Sequence, residues 1–306
     1  MSTTLSVIIV TQNTVKYLGK CLESLVPYYQ QGQIKDIIIV DGQSSDGTRD
    51  IISKYPVRLV DDIFRDPYNP SFPRNIGWRS TTAELVMFLD SDAYLGEGFF
   101  PDLFKHFADE NVGIVGCRQI PVIENRVMET IGQWWDYQMS KSKEIVDTPR
   151  GIIQKLFTRA LGASSKHQNV VGPCYIIRRK CLEQVGGFSE EEDCADTPLS
   201  LTLSEHKYAA KWWFDAPLYH RPKESVKGLI RQRLLYGRGD GYHVAKAPGS
   251  WHDKVLPVLI RIGTPIIGAR LALRYRNLRQ LYLFPLAHFA WSVGYVQGAV
   301  KGIMRR

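Results

Sequence analysis

Asp90 and Asp92, separated by Ser91, stand at the end of the apolar run Leu85-Val86-Met87-Phe88-Leu89. A run of that length reads as a strand buried on both faces, so its end delivers two carboxylates to a sheet edge that water and ligands can reach. Carboxylates placed there can share a hard divalent cation, magnesium or manganese, that the oxygens of a diphosphate also coordinate. Acidic pairs also arise by chance in surface loops, so the elements that lead up to this one decide its meaning.

Those elements alternate. Residues 5–10 read as a strand, and residues 15–26 place Leu18, Cys21, Leu22 and Leu25 on one helical face ahead of Pro27. Residues 37–40 form a second strand, ending in Asp41-Gly42-Gln43-Ser44-Ser45-Asp46-Gly47-Thr48. That segment is a turn by composition, with Asp46 or Thr48 capping a helix through Ile51, Ile52 and Tyr55. Residues 58–60 are a weaker strand, 74–79 a helix and 112–115 another strand. Strand–helix alternation predicts an α/β chain with a doubly wound, mostly parallel sheet, helices on both faces and a ligand site at the carboxyl ends of the strands. Thr11, Asp41 and Asp90 each follow a strand directly and so emerge on one edge. A carboxylate at Asp41 can accept the ring N–H of a uracil or guanine; its structural alternative is a turn-stabilising Asx residue.

With 306 residues and 44% hydrophobic content the chain can build a substantial core. Its five cysteines form no CxxC pair and leave one over from any full pairing, which points to a reduced, cytosol-facing protein. Residues 6–10 are too few for a signal-peptide core and are expected to be a first strand. The net charge of +8 is uneven: residues 221–306 carry sixteen Lys and Arg against three acidic residues, a net +13, leaving −5 for residues 1–220. Basic surface beside apolar segments points to an anionic membrane surface or to phosphate-bearing substrates, and the chain carries no recognisable nucleic-acid module.

The runs SVIIVTQN, IIIVDGQSSDGT and RNIGWRSTTAELVMFLDSDA resemble, in order and spacing, the nucleotide-binding half of the family 2 glycosyltransferases, which have the GT-A fold. The resemblance covers roughly the first 120 residues. It implies a UDP- or GDP-sugar donor, with Asp41 at the base, Asp90 near ribose and metal, Asp92 as a metal ligand and Arg74 near the donor. Thr11, Asn13 and Ser91 complete the donor-side set. The family often has Pro-Thr-Tyr-Asn after the first strand, and Val10-Thr11-Gln12-Asn13 lacks both the Pro and the Tyr that would stack on the base.

Further along, GGFSEEEDCADTPLSLTL resembles the acceptor-side motif of that family, a Gly-Gly-Phe turn followed by a Glu-Asp pair opening a helix. The match places Asp196 at the Asp of the pair, as general base, and Ala195 where Glu is usual. An inverting transfer needs one carboxylate to take the acceptor hydroxyl proton. Glu190, Glu191, Glu192 and Asp193 compete for that role as an acidic run, and Asp196 before Thr-Pro is also a good helix cap. His220, just after the last core strand, stands where some members complete the metal site. Trp212 and Trp213 suit either a sugar face or the core.

In the basic tail, Arg231 and Arg233 of IRQRLLYGRGDGYH, with Arg238, are placed to reach a diphosphate of the donor or of a lipid-linked acceptor, and Gly237, Gly239 and Gly241 suggest a closing loop. Two apolar stretches follow, 255–272 and 281–300, the second free of Asp, Glu, Lys and Arg and long enough to cross a membrane. Basic clusters on both sides of it favour interfacial or re-entrant helices over a simple span. Within the insertion 126–168, residues 151–161 read as a basic amphipathic helix suited to a membrane surface or to another subunit of a homo-oligomer. The organisation expected is a donor half over 1–120, an acceptor and base half over 121–224 and membrane-associated helices over 225–306. The function expected is metal-dependent inverting transfer to a lipid-linked or polymeric glycan at the cytoplasmic face of the cell membrane. Its rival is a non-catalytic nucleotide-sugar or lipid-binding protein on the same scaffold.

Overall fold

The computed structural model describes residues 4–62, 69–147, 170, 172–190, 199, 202–203, 205–246 and 251–304. Strand β1 (Leu5–Thr11) is apolar at successive positions because both of its faces are covered. Leu5, Val7 and Ile9 pack with Leu18, Cys21, Leu22 and Leu25 of helix α1 (Val15–Gln30), whereas Ile8 joins Trp78 and Phe88 on the opposite face. The same division runs through β2 (Asp36–Asp41) and β4 (Leu85–Leu89): Ile37, Ile39, Leu85 and Met87 go one way, Ile38, Val40, Val86 and Phe88 the other. Period-two alternation between two buried layers is the signature of a sheet sandwiched by helices.

Two elements differ from expectation in instructive ways. Helix α1 runs through Pro27 to Gln30. Proline forfeits the bond to the Glu23 carbonyl, but its own carbonyl accepts from Gln31 N at 3.0 Å, so the cost falls on a single last-turn bond. The sheet is also mixed. Its order is β3-β2-β1-β4-β7-β6-β8-β5, and the first four strands, with β3 at Arg58–Asp61, form the expected parallel half. On the other side β7 (Cys174–Arg178) inserts antiparallel between β4 and β6 (Val112–Pro121), and β5 (Ala93–Leu95) pairs antiparallel with β8 (Ala209–His220). Chain contacts divide the molecule into two compact units, and this sheet belongs to the first: residues 1–120, 169–191 and 195–220.

Also in the first unit are α2 (Thr48–Ile52), α3 (Ser71–Arg79), α4 (Phe99–Leu103) and α6 (Arg179–Val185), the last after α5 (Arg126–Asp147) of the second unit. The second unit also holds α7 (Val226–Lys246), α8 (Trp251–Ile260), α9 (Thr264–Tyr275) and α10 (Gln280–Met304). The glycines of the basic tail are helical residues of α7, not a loop. They let α7 and α10 meet backbone to backbone: a Cβ on Gly237 would lie 2.0 Å from the Trp291 carbonyl oxygen, and one on Gly298 would lie 2.0 Å from that of Arg238. The first apolar stretch is broken by a 3₁₀ turn, Arg261–Gly263, between α8 and α9. Among the described residues the segment long and apolar enough to cross a membrane is Lys254–Tyr275, rather than 281–300. His288, Ser292 and Gln297 dilute the hydropathy of the latter, and about half of α10 is buried. The amphipathic helix expected at 151–161 lies outside the described residues.

Gly298→Ala is expected to destabilise the protein by about 1–3 kcal/mol, because a methyl group cannot be fitted without parting two backbones. A lower urea midpoint at unchanged slope in circular dichroism checks this.

Candidate active site

The sheet edge is built by register. Thr11 pairs with Asp41, and Asp41 with Asp61, so the ends of β1, β2 and β3 are level. Strand β4 ends at Leu89; Asp90 N then donates to the Pro173 carbonyl at 2.7 Å, and Ala93 N to the Asp90 carbonyl at 3.0 Å. This turn carries Asp90 and Asp92 out of the sheet and sends β5 toward β8, where Ala93 pairs with His220. Pairing of those two strands brings His220 Nε2 to 3.2 Å from Asp92 Oδ1. Ligand atoms of Asp90, Asp92 and His220 all lie within 4.8 Å of one another.

Gln119 orients the imidazole. Its Oε1 lies 2.5 Å from His220 Nδ1, and an amide oxygen only accepts, so Nδ1 carries a proton. In the neutral ring Nε2 then points a lone pair at the Asp92 carboxylate. Two lone pairs at that distance are reconciled by a proton on Nε2 or by a cation between them, and two carboxylates with one imidazole suit manganese or magnesium. Beneath the pair lies Cys21, whose Sγ is 3.9 Å from the Asp90 carbonyl oxygen. Burial, followed by the charges of Asp92 and Asp90, pushes its thiol far up, so it stays protonated and is no ligand.

Arg74 reaches the same place, with Nη2 at 3.8 Å from Asp90 Oδ1 and its guanidinium 5.7 Å from the Phe188 ring. The next residue, Asn75, was not singled out by sequence reasoning, yet it holds two motifs together. Its Oδ1 accepts from Phe188 N and Trp78 Nε1, and its Nδ2 donates to the Phe188 carbonyl and to Glu190 Oε1, each at 2.9 Å. The Gly-Gly-Phe turn is thereby bolted to α3, and the Glu190 side chain is engaged in that bolt. A Cβ on Gly187, where φ is +90°, would meet Asn75 Oδ1 at 2.5 Å. Gln119 likewise gave no signal in the sequence. A lone amide two residues beyond the buried segment of β6 becomes readable only once its partner is placed.

Asp41 is fully buried. Its Oδ2 accepts from Arg49 Nε at 2.7 Å and Ser44 N at 3.0 Å, its Oδ1 from Ser44 Oγ at 2.5 Å. A carboxylate offers about four lone-pair sites, so three of those of Asp41 are committed within the fold. Arg49 also pairs with Asp61, and those two bonds hold its guanidinium above its ordinary value. Asn13 takes φ 54° and ties the loop after β1 to the loop after β2: its N donates to Ser44 Oγ at 2.8 Å and its Oδ1 accepts from Ser45 N at 3.0 Å. Thr11 shares a short hydroxyl contact with Thr14, and Ser91 is buried between the two acidic residues. Asp46 accepts from Thr48 N at 3.0 Å and from Val15 N at 3.1 Å, serving the starts of both α2 and α1.

Asp196, with Glu191, Glu192, Asp193 and Ala195, lies outside the described residues. Trp213 is a core residue, 4.8 Å from Phe99 between ring centroids. Arg231, Arg233 and Arg238 all lie on α7 in the second unit. Arg231 is exposed, Arg238 Nε donates to Gln297 at 2.9 Å and Arg233 stacks over Trp134.

The model of the family "Glycosyl transferase family 2" matches residues 6–186, more than half of the chain. The chain belongs to this family. Poly(ribitol-phosphate) beta-N-acetylglucosaminyltransferase TarS of Staphylococcus aureus is 32% identical to it over 109 residues, 35% of this chain and 19% of TarS. The shared stretch thus spans about a fifth of that relative. Among solved structures, mannosyltransferase PcManGT from Pyrobaculum calidifontis, in complex with GDP-Man and Mn²⁺, superposes with a TM-score of 0.62 at 17% identity, covering 95% of this chain and 86% of that one. S. aureus TarS 1–349 in complex with UDP-GlcNAc gives 0.51 at 16% identity, covering 99% and 91%. The family 2 chain has the GT-A fold, as its three donor-side motifs led one to expect.

Gln119→Leu in this family 2 enzyme is expected to weaken manganese binding about 10–100-fold by releasing the His220 tautomer, with folding retained. Isothermal titration with manganese alone checks it; an unchanged affinity removes the orienting role.

Proposed function

We propose that the chain catalyses metal-dependent, inverting transfer of a sugar from a UDP- or GDP-sugar to a hydroxyl of a lipid-linked or polymeric glycan acceptor at the cytoplasmic face of the cell membrane. The observation that carries this reading is the meeting of Asp90, Asp92 and His220 at a sheet edge, with Arg74 beside Asp90. In the reading, Asp41 meets the base with its remaining lone pair, and Thr11, Asn13 and Ser91 shape the loops around the nucleoside. Asp90 serves ribose and metal, while Asp92 and His220 complete the ligand set. When bound, manganese or magnesium neutralises the departing diphosphate. Asp196 takes the acceptor proton as the glycosidic bond forms, and Arg231 and Arg233 serve a phosphate group. Similar proteins support the classes of ligand: PcManGT forms a complex with GDP-Man and Mn²⁺, and TarS is named for acting on poly(ribitol-phosphate).

Membrane association is supported by a stripe on the second unit. Tyr282, Phe289, Val296 and Ile303, spaced by seven along α10, are exposed by 55%, 68%, 52% and 62%, and Ile266 and Leu273 of α9 by still more. Apolar residues repeated on one outward face, beside Arg270, Arg274, Arg276 and Arg279, suit an interfacial helix on anionic lipid.

UDP- or GDP-sugars are expected to raise the thermal midpoint only with manganese or magnesium present, and Asp92→Ala to abolish that gain. Asp196→Asn is expected to leave donor-dependent stabilisation intact and lower kcat about 10²–10⁴-fold. Transfer that survives metal removal and Asp92→Ala overturns the reading; donor binding without any transfer favours the binding-protein rival.

Detergent, rather than high salt alone, is expected to extract the protein from membranes. Phe289→Glu with Ile266→Glu is expected to shift it to the salt-soluble fraction, as fractionation and immunoblotting would read.

A further inference from the structure

The second unit buries polar atoms that no described residue answers. Arg233 Nε, Arg261 Nε, Trp134 Nε1 and His288 Nε2 are all inaccessible and have no hydrogen-bond partner among the described residues. Arg233, Trp134 and His288 adjoin one another, and the charges of Arg233 and Arg261 both act on His288. The Arg233 guanidinium lies 4.6 Å from the Trp134 ring centroid, and the Trp134 and His288 rings are 5.6 Å apart. The Arg261 guanidinium lies 3.3 Å from the Trp291 ring centroid, and Trp291 Nε1 donates to Asp240 Oδ2 at 2.9 Å. Trp134 and His288 are 1% and 8% exposed, and both arginines keep part of their side chains accessible.

The chemistry of the vacant valences points one way. An arginine Nε and an indole nitrogen can only donate, and a neutral imidazole donates from whichever nitrogen carries its proton. Burial and the two arginines push His288 down to about 3, so it is neutral. Among the described residues two guanidinium charges face the carboxylate of Asp240, which accepts from Trp291, with His243, Tyr236 and Tyr295 as further titratable neighbours. Buried donors without acceptors are costly, and an unbalanced buried charge costs more. The donors come from four separate elements: α5, α7, the 261–263 turn and α10. A tetrahedral oxyanion accepts from several sides, whereas a planar carboxylate accepts within its plane.

We propose that Arg233, Arg261, Trp134 and His288 form a binding site for a phosphate group in the helical unit, supplied either by a membrane amphiphile or as a free phosphate. The proposal names the ligand class for Arg233 and adds three residues to it. It rests on the second unit alone.

The test uses the full chain without nucleotide sugar or divalent metal, so its failure is distinct from failure of the transfer reading. Tryptophan fluorescence and thermal midpoint are followed against inorganic phosphate, against phosphatidylcholine vesicles containing phosphatidylglycerol, and against phosphatidylcholine vesicles given the same charge with oleate. Saturable response to inorganic phosphate identifies a free-phosphate site; response only to the phosphatidylglycerol vesicles identifies a lipid headgroup site. In either case Arg233→Gln and Arg261→Gln are expected to weaken binding at least about tenfold, the value of one charge-assisted hydrogen bond. Trp134→Phe, which keeps the ring and removes only the donor, is expected to weaken it several-fold and guards against a folding defect in the arginine variants. Equal response to oleate vesicles, equal binding by Trp134→Phe and both arginine variants, or no response to any phosphate source overturns the site.

Discussion

Antiparallel pairing of β5 with β8 is the constraint on which the Asp90–Asp92–His220 cluster depends. Asp92 and His220 are 128 positions apart in sequence, and only the Ala93–His220 register sets them side by side. A slip of one residue would turn His220 to the other face of the sheet, because side chains alternate along a strand. The register is secured by burial: Leu95 and Leu218 pair two residues along and enter the same core, and Tyr94 stacks on Tyr219 at 5.0 Å. Packing of apolar side chains thus fixes the position of the polar ones.

The site is held electrostatically as well as sterically. Two carboxylates at the end of an apolar strand repel one another, and Arg74 answers Asp90 at 3.8 Å, too long for a full hydrogen bond. Gln119 faces the imidazole at Nδ1, which turns Nε2 toward Asp92 at 3.2 Å. Asp41 presents the opposite case: Arg49 and Ser44 take most of its capacity, so it orders its loop before any ligand arrives. One edge of the sheet therefore combines a rigid, pre-paired carboxylate with two carboxylates whose oxygens lie within 4.8 Å of a His220 nitrogen.

Much of the first unit was legible in the sequence because its strands are continuous apolar runs that end abruptly in Thr11, Asp41 and Asp90. Those endings locate a sheet edge without any knowledge of the helices. Insertion of β7 between β4 and β6 was not legible, since periodicity is silent about partners and direction. Asn75 and Gln119 escaped for a related reason. Their roles consist of hydrogen bonds to Phe188 and His220, residues more than one hundred positions away, and a single polar side chain carries no periodic signal. Pro27 and the glycines of α7 misled in the opposite direction: breakers by propensity, they stay helical where a terminal turn or a neighbouring backbone makes tertiary contacts decisive.

The second unit inverts the ordinary division between inside and outside. Among the described residues its interior holds guanidinium, indole and imidazole nitrogens without a hydrogen-bond partner, while its outer face repeats tyrosine, phenylalanine, valine and isoleucine at heptad spacing. In water alone both choices are unfavourable, the first through desolvation and the second through exposed apolar area. Glycine contacts between α7 and α10 sharpen the conflict, for helices that touch through their backbones leave little room for side chains to turn elsewhere. An environment that is apolar outside and supplies anionic oxygens to the interior resolves both costs together. Both properties are those of a lipid leaflet, the environment proposed above for this unit.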